Sequence, residues 1–174
     1  MLAGEWMPLK MLMNNNGTFE DVTTEVGLSK TNGYWNVLEK ADLDGDGDLD
    51  VIAGNLGKNN RFKASPDRPV SMYINDFDNS GQLDHIITVF RGDKAYPVAL
   101  KKEITRQIPY LQEKYPRHVD YMGQTAEDIF TPEQISRSLK LEVFETATMV
   151  FWNENGHFEG QALPMEAQLA PVYS

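Results

Sequence analysis

Five aspartates stand at alternate positions in the stretch ADLDGDGDLDVIAGN, residues 41–55: Asp42, Asp44, Asp46, Asp48 and Asp50. No lysine or arginine falls inside the run. Carboxylates this close repel one another unless a cation sits among them. Oxygen ligands at alternate positions of a turning backbone, with a glycine at the bend, are how a chain wraps a hard divalent cation. Calcium takes six to eight oxygens at about 2.3–2.6 Å. Gly47 supplies the bend. The expected ligands are the side chains of Asp42, Asp44, Asp46 and Asp50 and the main-chain carbonyl of Asp48. The ion brings the positive charge that the loop lacks.

A second stretch, DFDNSGQLDHIITVF (76–90), follows the same plan. Each begins Asp-x-Asp, has Gly at the sixth position, Leu at the eighth and Asp at the ninth, and runs into β-branched residues. Here the expected ligands are the side chains of Asp76, Asp78, Ser80 and Asp84 and the carbonyl of Gln82. An EF-hand needs a carboxylate at position twelve. Those positions are Ala53 and Ile87, both apolar and both inside strand-like runs. The two stretches are therefore compact nine-residue loops that join strands, with calcium as the expected ion.

The elements that must position these loops are mainly β. NNNGTFEDVT (14–23) and NENGHFEGQALP (153–164) each lead an apolar run into an Asn-Gly turn, with an aromatic two residues on. This is a hairpin signal, because both central residues of such a turn need positive φ. Repeated short strands with Gly-rich turns indicate a repeat array or propeller. Residues 98–139 break the pattern. Thr131-Pro132-Glu133-Gln134 reads as an N-cap, a proline at the first helical position and a capping Gln, and Thr125-Ala126-Glu127-Asp128 reads as a second helix start. Pro109 and Pro116 divide what precedes into short pieces. The expectation is a helical insertion lying outside the sheet core. From Lys140 to Trp152 β-branched and aromatic residues return, and a strand is expected to resume.

Composition narrows the function. The chain of 174 residues is 41% hydrophobic, enough for a real core. Its 16 basic and 26 acidic residues give a net charge of −10, which argues against nucleic acid and anionic membrane surfaces as partners. With no cysteine there is no disulfide, thiolate catalysis or Cys-based zinc site. No apolar run approaches the roughly 20 residues of a membrane span. MLAGEWMPLK does not read as a signal peptide.

DLDGDGDLDVIAGN resembles the FG-GAP/VCBS repeat of integrin-α-like β-propellers, and AGEWMP, GNLGKNNRFKASPDRPV and LPMEAQLAPVY resemble bacterial VCBS-repeat proteins of the cartilage-acidic-protein type. The resemblance implies a mainly β fold: a partial β-propeller over residues 1–174, with calcium loops joining adjacent strands of a blade and a helical insertion at about 98–139. Without that insertion the chain holds about three blades of roughly 40–45 residues, fewer than the four a propeller needs. It begins mid-pattern and stops at APVYS where another strand is expected, so further blades of the same chain are expected too.

The resemblance also implies an extracellular, periplasmic or cell-surface module that binds protein or carbohydrate, and not an enzyme. A calcium-dependent carbohydrate-active enzyme (lyase or hydrolase) and a purely structural scaffold are the alternatives. His85, His118 and His157 stand apart, and no base or nucleophile is legible. Trp6, Trp35 and Trp152, with Tyr34, Tyr73, Tyr96 and Tyr121, are expected to pack between sheets more than to stack on sugars. YLQEKYPRHVDY (110–121) is the expected partner surface, and RFKASPDRP (61–69) a solvated loop.

Overall fold

A computed structural model describes residues 1–173, and Ser174 lies outside them. The chain divides into two compact units, Met1–Asp67 with the stretch from Val143 onward, and Arg68–Glu142. The fold is mainly β, built of antiparallel sheets of the kind a partial β-propeller uses.

In the first unit, β1 (Glu5–Met7) pairs with β4 (Gly33–Tyr34), and β2 (Leu12–Asn15) with β3 (Thr18–Asp21). A four-stranded antiparallel sheet follows in the order β12 (His157–Ala162), β11 (Met149–Glu154), β6 (Asp50–Gly54), β5 (Val37–Ala41). Both Asn-Gly turns form as the sequence predicts. Asn16 and Gly17 join β2 to β3 at φ 52° and 94°, and Asn155 and Gly156 join β11 to β12 at φ 54° and 90°. Only a residue without a Cβ penalty, or asparagine, takes this geometry at little cost. Strand β6 is central and mostly buried. Its Val51 and Ala53 join Leu9, Leu28, Trp35, Phe151 and Phe158 in one core. Trp35 meets Phe151 edge-on at 5.7 Å, and its indole N–H donates to the Thr31 carbonyl at 2.7 Å.

The second unit holds a sheet in the order β10 (Leu139–Val143), β7 (Val70–Asn75), β8 (Asp84–Arg91), β9 (Lys94–Pro97). Helices α1 (Lys101–Gln107), α2 (Leu111–Lys114), α3 (His118–Tyr121), α4 (Ala126–Ile129) and α5 (Pro132–Arg137) lie between β9 and β10. The predicted starts are built as expected. Thr131 Oγ accepts from Gln134 N at 3.2 Å while Gln134 Oε1 accepts from Thr131 N at 2.9 Å, and Thr125 and Asp128 cap α4 in the same way.

Two expectations need correction. The helices are not outside the sheet core, because Ile104, Ile108, Leu111, Tyr115, Ile129 and Phe130 share one cluster with Tyr73, Phe77 and Ile86 of the sheet and its loop. Apolar residues spaced by three and four make a stripe that must be buried against something. Nor does one strand run from Lys140 to Trp152. It stops after Val143 and resumes at Met149 in the other four-stranded sheet. The amides past the break have other partners: those of Phe144 and Glu145 donate to the Asn32 carbonyl at 2.9 and 3.2 Å, and those of Thr146 and Ala147 to Glu145 Oε1 at 2.9 and 2.8 Å, so none is left for a ladder.

Candidate metal centres

Loop one, residues 42–50, joins β5 to β6, and loop two, residues 76–84, joins β7 to β8. Each closes an antiparallel hairpin, with Ala41 paired to Asp50 and Asn75 to Asp84. Their backbones follow one path. The fourth and sixth positions have positive φ in both: Gly45 85° and Gly47 97°, then Asn79 58° and Gly81 84°.

The hydrogen bonds match at the sixth and ninth positions, while the first aspartate takes its other donor from the fourth residue in loop one and the fifth in loop two. Asp42 accepts from Gly45 N at 2.7 Å and Gly47 N at 3.2 Å, and Asp76 from Ser80 N at 2.9 Å and Gly81 N at 2.8 Å. At the ninth position Asp50 Oδ2 accepts from Leu43 N at 2.9 Å, and Asp84 Oδ2 from Phe77 N at 3.1 Å. Amide dipoles thus orient each carboxylate without neutralising its charge.

The result is two triads. Asp42, Asp44 and Asp50 bring one oxygen each within 4.8 Å of one another, and so do Asp76, Asp78 and Asp84. Two oxygens on one calcium ion stand no further apart than about twice the 2.3–2.6 Å bond length, so the spacing fits a shared ion. The donors are hard oxygens, the set that calcium and magnesium take and softer metals do not favour.

The remaining predicted residues fall around these triads. Asp46 Oδ1 accepts from Asp48 N at 2.8 Å, and Ser80 Oγ from Gln82 N at 3.4 Å. The Asp48 carboxylate turns to Asn155 N at 3.1 Å, as suits a position expected to offer its carbonyl. Gln82 is exposed.

Burial differs within each triad. Asp50 and Asp84 are 1% and 5% exposed, Asp42 and Asp44 are exposed, and Asp76 and Asp78 are half-buried. Burial pushes the Asp84 carboxyl above the usual carboxylate range. Hydrogen bonds from Phe77 N–H and Gln107 pull it down, and the charges of Asp78 and Asp76 add to the rise. A bound cation would oppose both raising effects.

Three supporting contacts escape a sequence reading. Asn153 N donates to Asp50 Oδ1 at 2.9 Å, Asn153 Nδ2 to the Leu49 carbonyl at 3.2 Å, and Asn155 N to Asp48. The β11–β12 turn therefore straps loop one from about a hundred residues away. The only signal was the asparagine content of that turn, read as turn chemistry alone. Loop two is held from α5, where Gln134 Nε2 donates to the Phe77 carbonyl at 2.8 Å and Asn75 Nδ2 to the Gln134 carbonyl at 3.0 Å.

His85, His118 and His157 belong to no metal-competent cluster among the described residues. Trp35 is core, while Trp6 packs edge-on against Tyr34 at 5.0 Å, which stacks on Phe62. In 110–121, Leu111 and Tyr115 are buried while Tyr110 and Val119 are exposed. The basic residues of 61–69 find local uses: Arg61 lies over the Phe62 ring, Lys63 donates to the Lys58 carbonyl, and Arg68 pairs with Asp93. No helix among the described residues is long and apolar enough to cross a membrane.

No curated protein and no solved structure matches this chain. A family model does: the FG-GAP-like repeat matches residues 2–53, a span that ends just beyond loop one. Loop two repeats the same nine-position geometry outside that span. The likeness to the FG-GAP-like repeat thus rests on residues 2–53, the stretch that holds loop one.

Proposed function

We propose that this chain is a calcium-binding repeat module of β-propeller type, working outside the cell, at its surface or in the periplasm as a platform that binds protein or carbohydrate. The observation that carries the calcium reading is the pair of aspartate triads at the same loop positions. Two separate loops bring three carboxylates each within 4.8 Å, and no lysine or arginine stands inside either loop. Gathering like charges twice in one geometry costs stability unless an ion repays it. The ligands are Asp42, Asp44, Asp46 and Asp50 with the Asp48 carbonyl, and Asp76, Asp78, Ser80 and Asp84 with the Gln82 carbonyl. Sites on exposed loops fit the weak affinities of extracellular modules, roughly 10⁻⁴–10⁻³ M, which are filled only where calcium is abundant.

Thermal unfolding tests the calcium reading. Calcium is expected to raise the melting temperature relative to chelator, with magnesium doing less because it demands octahedral geometry and gives up water reluctantly. Identical curves in calcium and chelator overturn it.

A further inference from the structure

A cleft of about 470 Å³ opens in the second unit, walled by the β8–β9 hairpin, the β9–α1 connection and α3. The volume is in the range of small-molecule sites. Its walls include Arg91, Tyr96, Lys101, His118, Tyr121 and Met122, and they contain no aspartate or glutamate. In a chain with 26 acidic residues and a net charge of −10, that is a local reversal of sign.

Lys101 is the informative residue. It is only 8% exposed, and its Nζ donates to Gln112 Oε1 at 3.1 Å and the Pro116 carbonyl at 3.3 Å. Both acceptors are neutral. An ammonium carries three donors, and a buried one is stable only when an opposite charge or full hydrogen bonding compensates it. Two carboxylates on the flanking helices are committed elsewhere. Glu103 Oε2 accepts from Leu100 N at 2.7 Å, and Asp120, which Lys101 feels electrostatically, is bridged to Arg117 Nη2 at 2.7 Å and Nε at 3.2 Å.

The other walls suit an apolar body. Tyr121 is fixed by its hydroxyl, which donates to the Ala99 carbonyl at 2.9 Å, so its ring is a rigid surface. Leu100 and Met122 are 68% and 73% exposed, so ligand burial there removes apolar area from water.

We infer that this cleft binds a small organic anion, a carboxylate carried on an apolar or ring-shaped body, with Lys101 meeting the charge and Arg91 and His118 at the rim. The inference rests on the reading of the chain as a binding module, and not on calcium.

Naphthoate and its uncharged amide, naphthamide, are the probes, titrated into the whole chain while main-chain amide shifts are followed by NMR. Naphthoate is expected to move Lys101, Tyr121 and Met122, and naphthamide to bind at least about tenfold more weakly, because a charge-assisted hydrogen bond is lost. Lys101→Met is expected to weaken naphthoate by about tenfold or more. Arg91→Gln, at an exposed position where folding is not at stake, is expected to weaken it by about threefold, as a solvated charge contributes less. Equal affinity for acid and amide, no shifts at the cleft, or naphthoate binding untouched by Arg91→Gln and by a folded Lys101→Met overturns the proposal. The titration is run in calcium and in chelator: binding in both, beside melting curves that ignore calcium, sinks the calcium reading and leaves this one standing.

Discussion

Loop one and loop two share nine positions of backbone plan and both take polar contacts from a distant element, yet only loop two is also rooted in a core. At the second position loop one has Leu43, 44% exposed, and loop two has Phe77, 1% exposed. Phe77 stacks on Phe130 with ring centroids 4.0 Å apart and joins the core of its unit. Loop one has no such apolar root and is strapped by polar contacts from Asn153 and Asn155. The ligand plan is thus local and portable, because alternate aspartates and two positive-φ residues suffice to draw it. The anchor is supplied by whatever element lies alongside. On the proposed calcium reading, charge sets how strongly an ion is held, while the surroundings set how much of the loop survives without one.

The largest contrast expected is in stability. Phe77→Ala removes a buried ring and its stacking partner's contact, and should cost about 3–5 kcal/mol. Leu43→Ala removes a side chain already half in water, and should change stability by about 0.5 kcal/mol or less. Denaturant unfolding in chelator measures both. Losses of similar size would show that the two loops are rooted alike, and the comparison would fail.

The next contrast is in calcium. Each filled site stabilises by about 1.4 kcal/mol at ten times Kd. Loop one offers four side-chain carboxylates, and loop two offers three and the Ser80 hydroxyl. Affinity rises with ligand charge, so Asp44→Ala should remove the tighter event in a calorimetric titration and Asp78→Ala the weaker one. Without metal, Asp44→Ala relieves repulsion and should leave the fold unchanged or slightly steadier. If Asp78→Ala removes the tighter event, the half-burial of Asp76 and Asp78 outweighs the count of charges, and the ranking reverses.

These contrasts also mark what the sequence could reveal. Both triads were legible because their chemistry is contained in nine consecutive residues. The Asn16-Gly17 and Asn155-Gly156 turns and the Thr131 cap were legible for the same reason: each is a short-range pattern with one geometric solution. What lay hidden was non-local. Nothing in Asn153 announces that its amide will reach Asp50, 103 residues away. The spacing of Ile104, Ile108 and Leu111 says that a stripe is apolar but not that Tyr73, Phe77 and Ile86 lie beneath it. The strand break after Val143 goes with the distant Asn32 carbonyl taking the amides of Phe144 and Glu145 and with Glu145 turning back on its own backbone, neither of which a residue type dictates.

A smaller effect separates side chain from backbone at the seventh position. The Asp48 carboxylate serves the strap, accepting from Asn155 N at 3.1 Å, while its carbonyl is the proposed ligand. Asp48→Ala should therefore cost about 0.5–1.5 kcal/mol, the net value of one hydrogen bond. It should weaken the calcium event less than Asp44→Ala does. Its counterpart Gln82→Ala, at an exposed position, should change neither. Loss of the tighter calcium event in Asp48→Ala would make that carboxylate a direct ligand and the strap incidental.

The finest test is the titration of Asp84 in chelator. Burial raises this carboxyl above its ordinary value, with Asp78 and Asp76 adding to the rise, against hydrogen bonds from Phe77 N–H and Gln107. A group with a raised folded pKa holds its proton more tightly in the folded state than in the unfolded one. The folded state then binds more protons across the window between the two values, so stability falls as pH rises through it. The contribution is fully present below the unfolded value and lost above the folded one. The opposing hydrogen bonds keep the effect small. Carboxyl NMR should show Asp84 titrating above the usual aspartate range in chelator. Calcium should bring its titration down, because the ion and the proton compete for the same oxygens. Asp84→Asn should flatten the pH dependence of metal-free stability in that window. An Asp84 carboxyl that titrates alike in calcium and in chelator would exclude it from the ligands of loop two, and would leave that loop a turn rooted by Phe77 with no ion to hold.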